Sequence, residues 1–210
     1  MKIGIIGAGN VGGTLGRRWA GKGHSVTFSS RGEPSDGLAK ILTESGPSVR
    51  TASVADTARD SAVVVFATPW PATQEAVNSA GDLAGKIVID ATNPLRPGPH
   101  GFELAATPSA GEMVAQWAAG AHVVKAFNTV GYNIMANPSF PGGPAAMFYC
   151  GDDAAAKKTV AGLISDLGFD PLDAGPLSQA RVLEPFALLW ISLALNYGYG
   201  REIAFRLMRR

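Results

Sequence analysis

Gly7, Gly9 and Gly12 stand at G-x-G-x-x-G spacing within Lys2-Ile3-Gly4-Ile5-Ile6-Gly7-Ala8-Gly9-Asn10-Val11-Gly12-Gly13. Ile3, Ile5 and Ile6 ahead of them read as a short, fully buried parallel strand. Residues 14–20 behind them read as a helix, with Leu15 and Trp19 four apart on one face. A strand, a glycine turn and a helix start make an anion site. The first glycine allows the tight turn, the second lets backbone approach a pyrophosphate, and the third lets helix pack closely on strand. Free N–H groups and the helix dipole favour the phosphate charge. The next strand, Ser25-Val26-Thr27-Phe28, follows at the distance a dinucleotide fold requires.

Ser29-Ser30-Arg31-Gly32 closes that second strand, where NAD-preferring folds carry Asp or Glu for the ribose 2′-hydroxyl. A carboxylate would repel a 2′-phosphate by about 4 kcal/mol per unit charge at about 4 Å and an effective dielectric of about 20. Two hydroxyls and a guanidinium attract it instead. Glu33 comes too late to replace the missing acid. These residues point to NADP(H) rather than NAD, with Arg31 as a solvated loop residue the plainer alternative.

The elements that must position these groups alternate. Helices are expected near residues 35–45, 53–59, 72–80, 109–119, 154–167 and 178–196. Strands are expected near 48–51, 61–67, 86–90, 123–127, 145–150 and 169–173. Ser109 followed by Glu112 marks a capping box, and Asp152 is the expected N-cap of the helix from 154. Residues 96–107 and 138–144 read as Pro/Gly loops, and a further short helix is expected after Gly200. The alternation implies an α/β, Rossmann-like, doubly wound and mainly parallel sheet with a C-terminal apolar helix. We expect one NADP-binding domain over 1–210, with 145–210 as a small C-terminal subdomain at most.

Right-handed crossovers put the strands' C-terminal ends on one rim, where ligands bind. Besides the glycine turn and Ser29–Arg31, the rim then gathers Thr68, Pro69 and Trp70, then Asn93, Pro94 and Leu95, then Asn128, Thr129 and Val130. Pro69 or Trp70 is placed to flank the cofactor. Asn93 and Asn128 are placed to hydrogen-bond a carboxamide or a second ligand. Each of these residues is equally readable as a strand cap or turn former.

The chain is 46% hydrophobic and 17% charged with a net charge of +1, so neither nucleic acid nor an anionic membrane is the expected partner. Arg17-Arg18 and the early glycines argue against a targeting leader. The longest uncharged run, 185–200, is short for a membrane span. A single cysteine, Cys150, excludes an internal disulfide and fits a cytoplasmic protein. It reads as a buried apolar residue. No Cys/His cluster suggests a metal site. His24 stands where a turn residue is expected before the second strand and His122 reads as structural, while His100 lies in the 96–107 loop, in reach of a substrate. Lys125 is the one candidate proton donor, unless it is a surface lysine at a strand end. The helix over 178–196 carries Phe186, Leu188, Leu189, Trp190, Ile191, Leu193 and Leu195, apolar almost all round, and Pro185 should kink or break it. A homodimer through this helix is the expected use of its outer face.

Taken together, the segments Gly7-Ala8-Gly9-Asn10-Val11-Gly12, Ser30-Arg31, Thr68-Pro69-Trp70, Asn93-Pro94-Leu95, Lys125-Ala126-Phe127-Asn128-Thr129, Gly151-Asp152-Asp153 and Asp173-Ala174-Gly175-Pro176-Leu177 resemble one family in order. The chain resembles the F420H2:NADP oxidoreductases, and is similar to the NADPH-binding domain of the six-transmembrane metalloreductases. The resemblance implies NADPH on the glycine turn, with Ser30 and Arg31 on the 2′-phosphate. It implies a deazaflavin (F420) or flavin ring as co-substrate near residues 93–95 and 126–130. The F420 enzymes carry His where this chain has Asn128, and the Asn-Thr form resembles the metalloreductase version. The sequence contains no membrane domain, so a complete metalloreductase is not expected. The implied activity is hydride transfer between NADP(H) and a small-molecule acceptor, which needs alignment rather than a covalent nucleophile. Ferric or flavin reduction, small carbonyl or imine reduction, and an NADPH-binding sensor without turnover are the competing readings.

Overall fold

The computed structural model describes residues 1–30, 32–98, 101–104 and 108–210, the side chains of 101–104 excepted. The β-branched run at the start forms β1 (Lys2–Ile6), buried from Ile3 onward. After the glycine turn come α1 (Asn10–Gly21), β2 (Ser25–Ser29), α2 (Asp36–Ser45), β3 (Val49–Ala52) and α3 (Val54–Arg59). The buried Val63, Val64, Val65 and Phe66 form β4 (Val63–Phe66), followed by α4 (Trp70–Ser79) and β5 (Ile87–Asp90). Next are β6 (Leu95–Gly98), β7 (Gly101–Leu104), α5 (Ala110–Trp117), β8 (His122–Lys125) and α6 (Tyr132–Ala136). The chain continues through β9 (Ser139–Phe140), β10 (Gly143–Pro144), β11 (Ala146–Gly151), α7 (Ala154–Asp166), β12 (Asp170–Asp173) and α8 (Ala180–Leu195).

Eight strands make one sheet in the order β12-β11-β8-β5-β4-β1-β2-β3. All pairs are parallel except β11 with β8, where Cys150 lies opposite Lys125. The strand order reverses between β1 and β4, so a crevice opens at their C-terminal ends. One face is covered by α1, α2, α6 and α7, through Leu15, Trp19, Ile41, Ile134 and Leu163. The other is covered by α3, α4, α5 and the inner side of α8, through Ala58, Val77, Val114 and Leu183. Ser35, Ser53, Ser109 and Asp153 accept a backbone N–H at the starts of α2, α3, α5 and α7.

Several expectations are corrected. Part of the 96–107 segment is the antiparallel β6–β7 hairpin, and the 138–144 segment contains the short β9–β10 pair. Residues 132–136 form a helix that the pattern did not announce. Asp153, not Asp152, caps α7, because Asp152 Oδ1 accepts the Leu177 N–H at 2.8 Å. No helix follows Gly200: residues 201–210 form neither helix nor strand, and Phe205 O accepts the Ala146 N–H at 2.9 Å. α8 continues through Pro185 rather than breaking there. Its outer side is exposed at Val182, Leu189 and Leu195. No helix among the described residues is long and apolar enough to cross a membrane.

Candidate functional site: a nucleotide crevice and a polar rim

The glycine turn is built as its spacing requires. Gly7 has φ +107°, a conformation open to glycine, and a Cβ there would meet Ala67 O at 2.6 Å. At Gly12 a Cβ would fall 1.9 Å from Gly7 O, so α1 can approach β1 only with glycine there. Gly9 is different. It is exposed, its φ of −75° suits any residue, and no protein atom lies within 4 Å of an added Cβ. α1 starts there with no side-chain cap and no acidic residue in its first turn. Its leading N–H groups therefore carry no side-chain partner and have the positive end of the helix dipole behind them. This fits a pyrophosphate.

Beside the turn, Ile6, Gly7, Ala8, Ser29, Thr68 and Glu75 line a cleft of about 200 Å³. A second hollow of about 200 Å³ flanks α1, bounded by Ala8, Gly9, Asn10, Arg17 and Tyr132. Val11 is half-buried and packs on the core. Ser30 Oγ donates to Gly32 O at 2.6 Å, holding the corner after β2 in a tight turn. Arg31 and His100 lie outside the described residues.

The rim on the far side is more committed to itself. Thr68 Oγ1 and Thr73 Oγ1 share a hydrogen bond at 3.0 Å, and Pro69 precedes the first residue of α4. Trp70 stacks on Trp117 with centroids 5.5 Å apart, so its ring is engaged in packing α4 against α5. Asn93 and Asn128 are brought together: Asn93 Nδ2 donates to Asn128 O at 2.9 Å, and Asn128 Nδ2 donates to Asn93 Oδ1 at 3.2 Å. Pro94 is buried and half-buried Leu95 opens β6. Ala126, Thr129 and Val130 are buried as well. Phe127 takes φ +64° while wholly buried against Trp19 and Phe169. A bulky residue in this region is strained, by about 1–3 kcal/mol, and the core on either side holds it there.

Lys125 is neither a surface lysine nor a free proton donor. It is 0% exposed, and its ammonium spends all three donors: on Asp90 Oδ2 at 2.7 Å, Thr92 O at 2.9 Å and Glu184 Oε1 at 3.0 Å. Burial opposes its charge, but the Asp90 and Glu184 carboxylates outweigh that and hold its pKa above the usual lysine value. Asp90 Oδ1 accepts from Thr92 N and Oγ1, and the Glu184 carboxylate accepts the Ala110 and Gly111 N–H groups at 3.1 Å each. Glu184 escaped the sequence reading. Its signal was there: a lone carboxylate in the apolar 182–196 run must find a buried partner. The Cys150 thiol, buried at 0% exposure, is pushed up to about 12, chiefly by burial, and is inert. His24 bonds Asp166 at 3.0 Å, and His122 Nδ1 lies 3.6 Å from Asp153. Among the described residues no three His, Cys, Asp or Glu could hold a metal.

A Rossmann-type sheet with an open glycine turn at its switch point defines a dinucleotide-binding class of fold. Residues 2–94 match the family model described as NADP oxidoreductase, coenzyme F420-dependent. The chain belongs to this family of NADP oxidoreductases. It is 35% identical to a proposed F420-dependent NADP reductase from Arthrobacter sp. FB24, covering 100% of both chains with a TM-score of 0.89. It is 33% identical to metalloreductase STEAP3 of Rattus norvegicus over 89% of this chain. The chain spans only 36–37% of the length of the curated relatives it matches. A reductive aminase from Aspergillus terreus in complex with NADPH shares the fold at 21% identity, with a TM-score of 0.69, over 94% of this chain and 62% of that one.

Proposed function

We propose that this protein transfers a hydride between NADP(H) and a deazaflavin (F420) or flavin ring. The observation that carries the reading is the Gly9 turn, with its empty surroundings and uncapped α1 start beside the crevice. NADPH, when bound, supplies the hydride. Gly7, Ala8, Gly9, Asn10, Val11 and Gly12 would hold the pyrophosphate by backbone, and Ser29, Ser30 and Arg31 the 2′-phosphate. Thr68, Pro69 and Trp70 bound the path from adenosine to nicotinamide. Asn93, Pro94, Leu95, Ala126, Asn128, Thr129 and Val130 would form the wall of the ring end. The chain's own work is alignment and exclusion of water, worth several orders of magnitude when reacting atoms are held about 3–3.5 Å apart. Ring protonation is left to water, since Lys125 has no free donor.

A second reading, reduction of a ferric chelate, is favoured by Asn128 and by the likeness to a metalloreductase. We further propose a homodimer through the exposed side of α8. Mixing the purified protein with NADPH and, separately, F420, FMN or a ferric chelate tests these readings. Loss of NADPH absorbance with F420 or FMN supports hydride transfer to a ring. Loss with the chelate alone replaces it by ferric reduction. Saturable NADPH binding with no acceptor reduced leaves a sensor.

A further inference from the structure

Two adjacent residues of α8 grip both strand ends that form the ring-end wall. Leu183 O accepts the Asn128 side-chain N–H at 3.2 Å, fastening the end of β8. Glu184, 2% exposed, reaches the end of β5 through Lys125, which bonds Asp90 Oδ2 and Thr92 O. Asp90 in turn fixes the Thr92 backbone N–H at 2.9 Å, one residue before Asn93. Every oxygen and nitrogen of the three charged side chains has a partner, so the cluster is rigid. One lysine between two carboxylates, all removed from water, is a costly way to join a helix to a sheet; well-packed apolar residues would do that at least as well. What apolar packing would not supply is a defined orientation for the two asparagines.

We propose that Glu184, acting through Lys125 and Asp90, is a positioning residue for the nicotinamide end of the site. It sets the Thr92–Asn93 turn and, with Leu183, the Asn93–Asn128 pair against which the reacting rings align. This rests on the hydride-transfer reading for the location of the ring end.

The test compares NADPH with 2′,5′-ADP, which carries the phosphorylated adenosine end and no nicotinamide. Lys125→Met strands two carboxylates together and endangers folding, so Glu184→Gln, which keeps the side-chain shape, is the deciding variant. We expect it to bind 2′,5′-ADP within about twofold of the parent while NADPH affinity and the rate with F420 or FMN each fall about tenfold or more. Arg181→Ala breaks only the exposed tie between α8 and Glu112, and leaves all three quantities at parental values. A Glu184→Gln protein that melts lower but keeps both affinities and the rate would reduce the cluster to a strut. Equal weakening of both nucleotides would likewise overturn the proposal. If the parent reduces neither F420 nor FMN, the hydride-transfer reading fails, and the two-nucleotide comparison still decides the positioning role.

Discussion

At the scale of single residues, the three glycines of the first turn have separable duties. Gly12 answers to packing and Gly9 to the ligand, because a Cβ clashes at the first and meets nothing at the second. Gly9→Val should therefore shift stability by only about 0.5–1 kcal/mol while abolishing NADPH binding. Gly12→Val should cost at least about 1–3 kcal/mol, through overpacking against backbone that has little room to yield. Thermal melts with and without NADPH check both. Arg31→Asp should weaken NADPH far more than NADH in parallel titrations, since the change puts a carboxylate where only the 2′-phosphate adds charge. Equal losses would remove Arg31 from that phosphate.

At the scale of elements, α5 and α8 are tied twice, once in the interior by Glu184 and once at the surface by Glu112. Arg181 forks onto Glu112 at 2.7 and 2.8 Å. That guanidinium, with help from Ser109, holds the Glu112 pKa down from 4.5 to about 2. A carboxylate depressed on folding stabilises the native state fully above its unfolded pKa, and the contribution fades as pH falls through the folded value. Denaturant midpoints should thus drop between about pH 4.5 and about 2, and Glu112→Gln should flatten that part of the curve. Solvent around the exposed Arg181 keeps the effect modest. The capping box behind this tie was legible in the sequence because Ser109 and Glu112 are neighbours on one helical turn. So was the β1–turn–α1 unit, where local spacing carries all the information. The Lys125 cluster was not, since its members stand at 90, 125 and 184 and meet only once the sheet is assembled. Asp152 and Asp153 offered two equivalent caps, and a distant donor at Leu177 took one of them. The tail after Gly200 has helical composition, yet its backbone is claimed by the edge of β11 and by Trp190, whose indole donates to Ile203 O at 2.8 Å. Tertiary demand overrode propensity there.

At the scale of the whole molecule, the sheet places the C-terminal ends of β1, β2, β3, β4, β5 and β8 on one rim while β11 and β12 run the other way, and helices on both faces leave one long apolar side uncovered. Leu189 is 48% exposed on α8, and Tyr197 and Tyr199 just beyond it are 71% and 66% exposed. If that side joins two copies, Leu189→Glu should convert a dimer to a monomer in light scattering while the melting curve of the separated subunit stays cooperative. A monomeric parent would set the dimer aside without touching the chemistry.

The central claim concerns the hydride itself. Turnover with NADPH deuterated at the transferring C4 position, with F420 or FMN as acceptor, tests it most directly. The account predicts that deuterium leaves the nicotinamide in step with acceptor reduction, that reduction is slower than with unlabelled NADPH, and that F420 retains the label at its ring carbon. Bound NADPH that keeps its deuterium while both acceptors stay oxidised would contradict it.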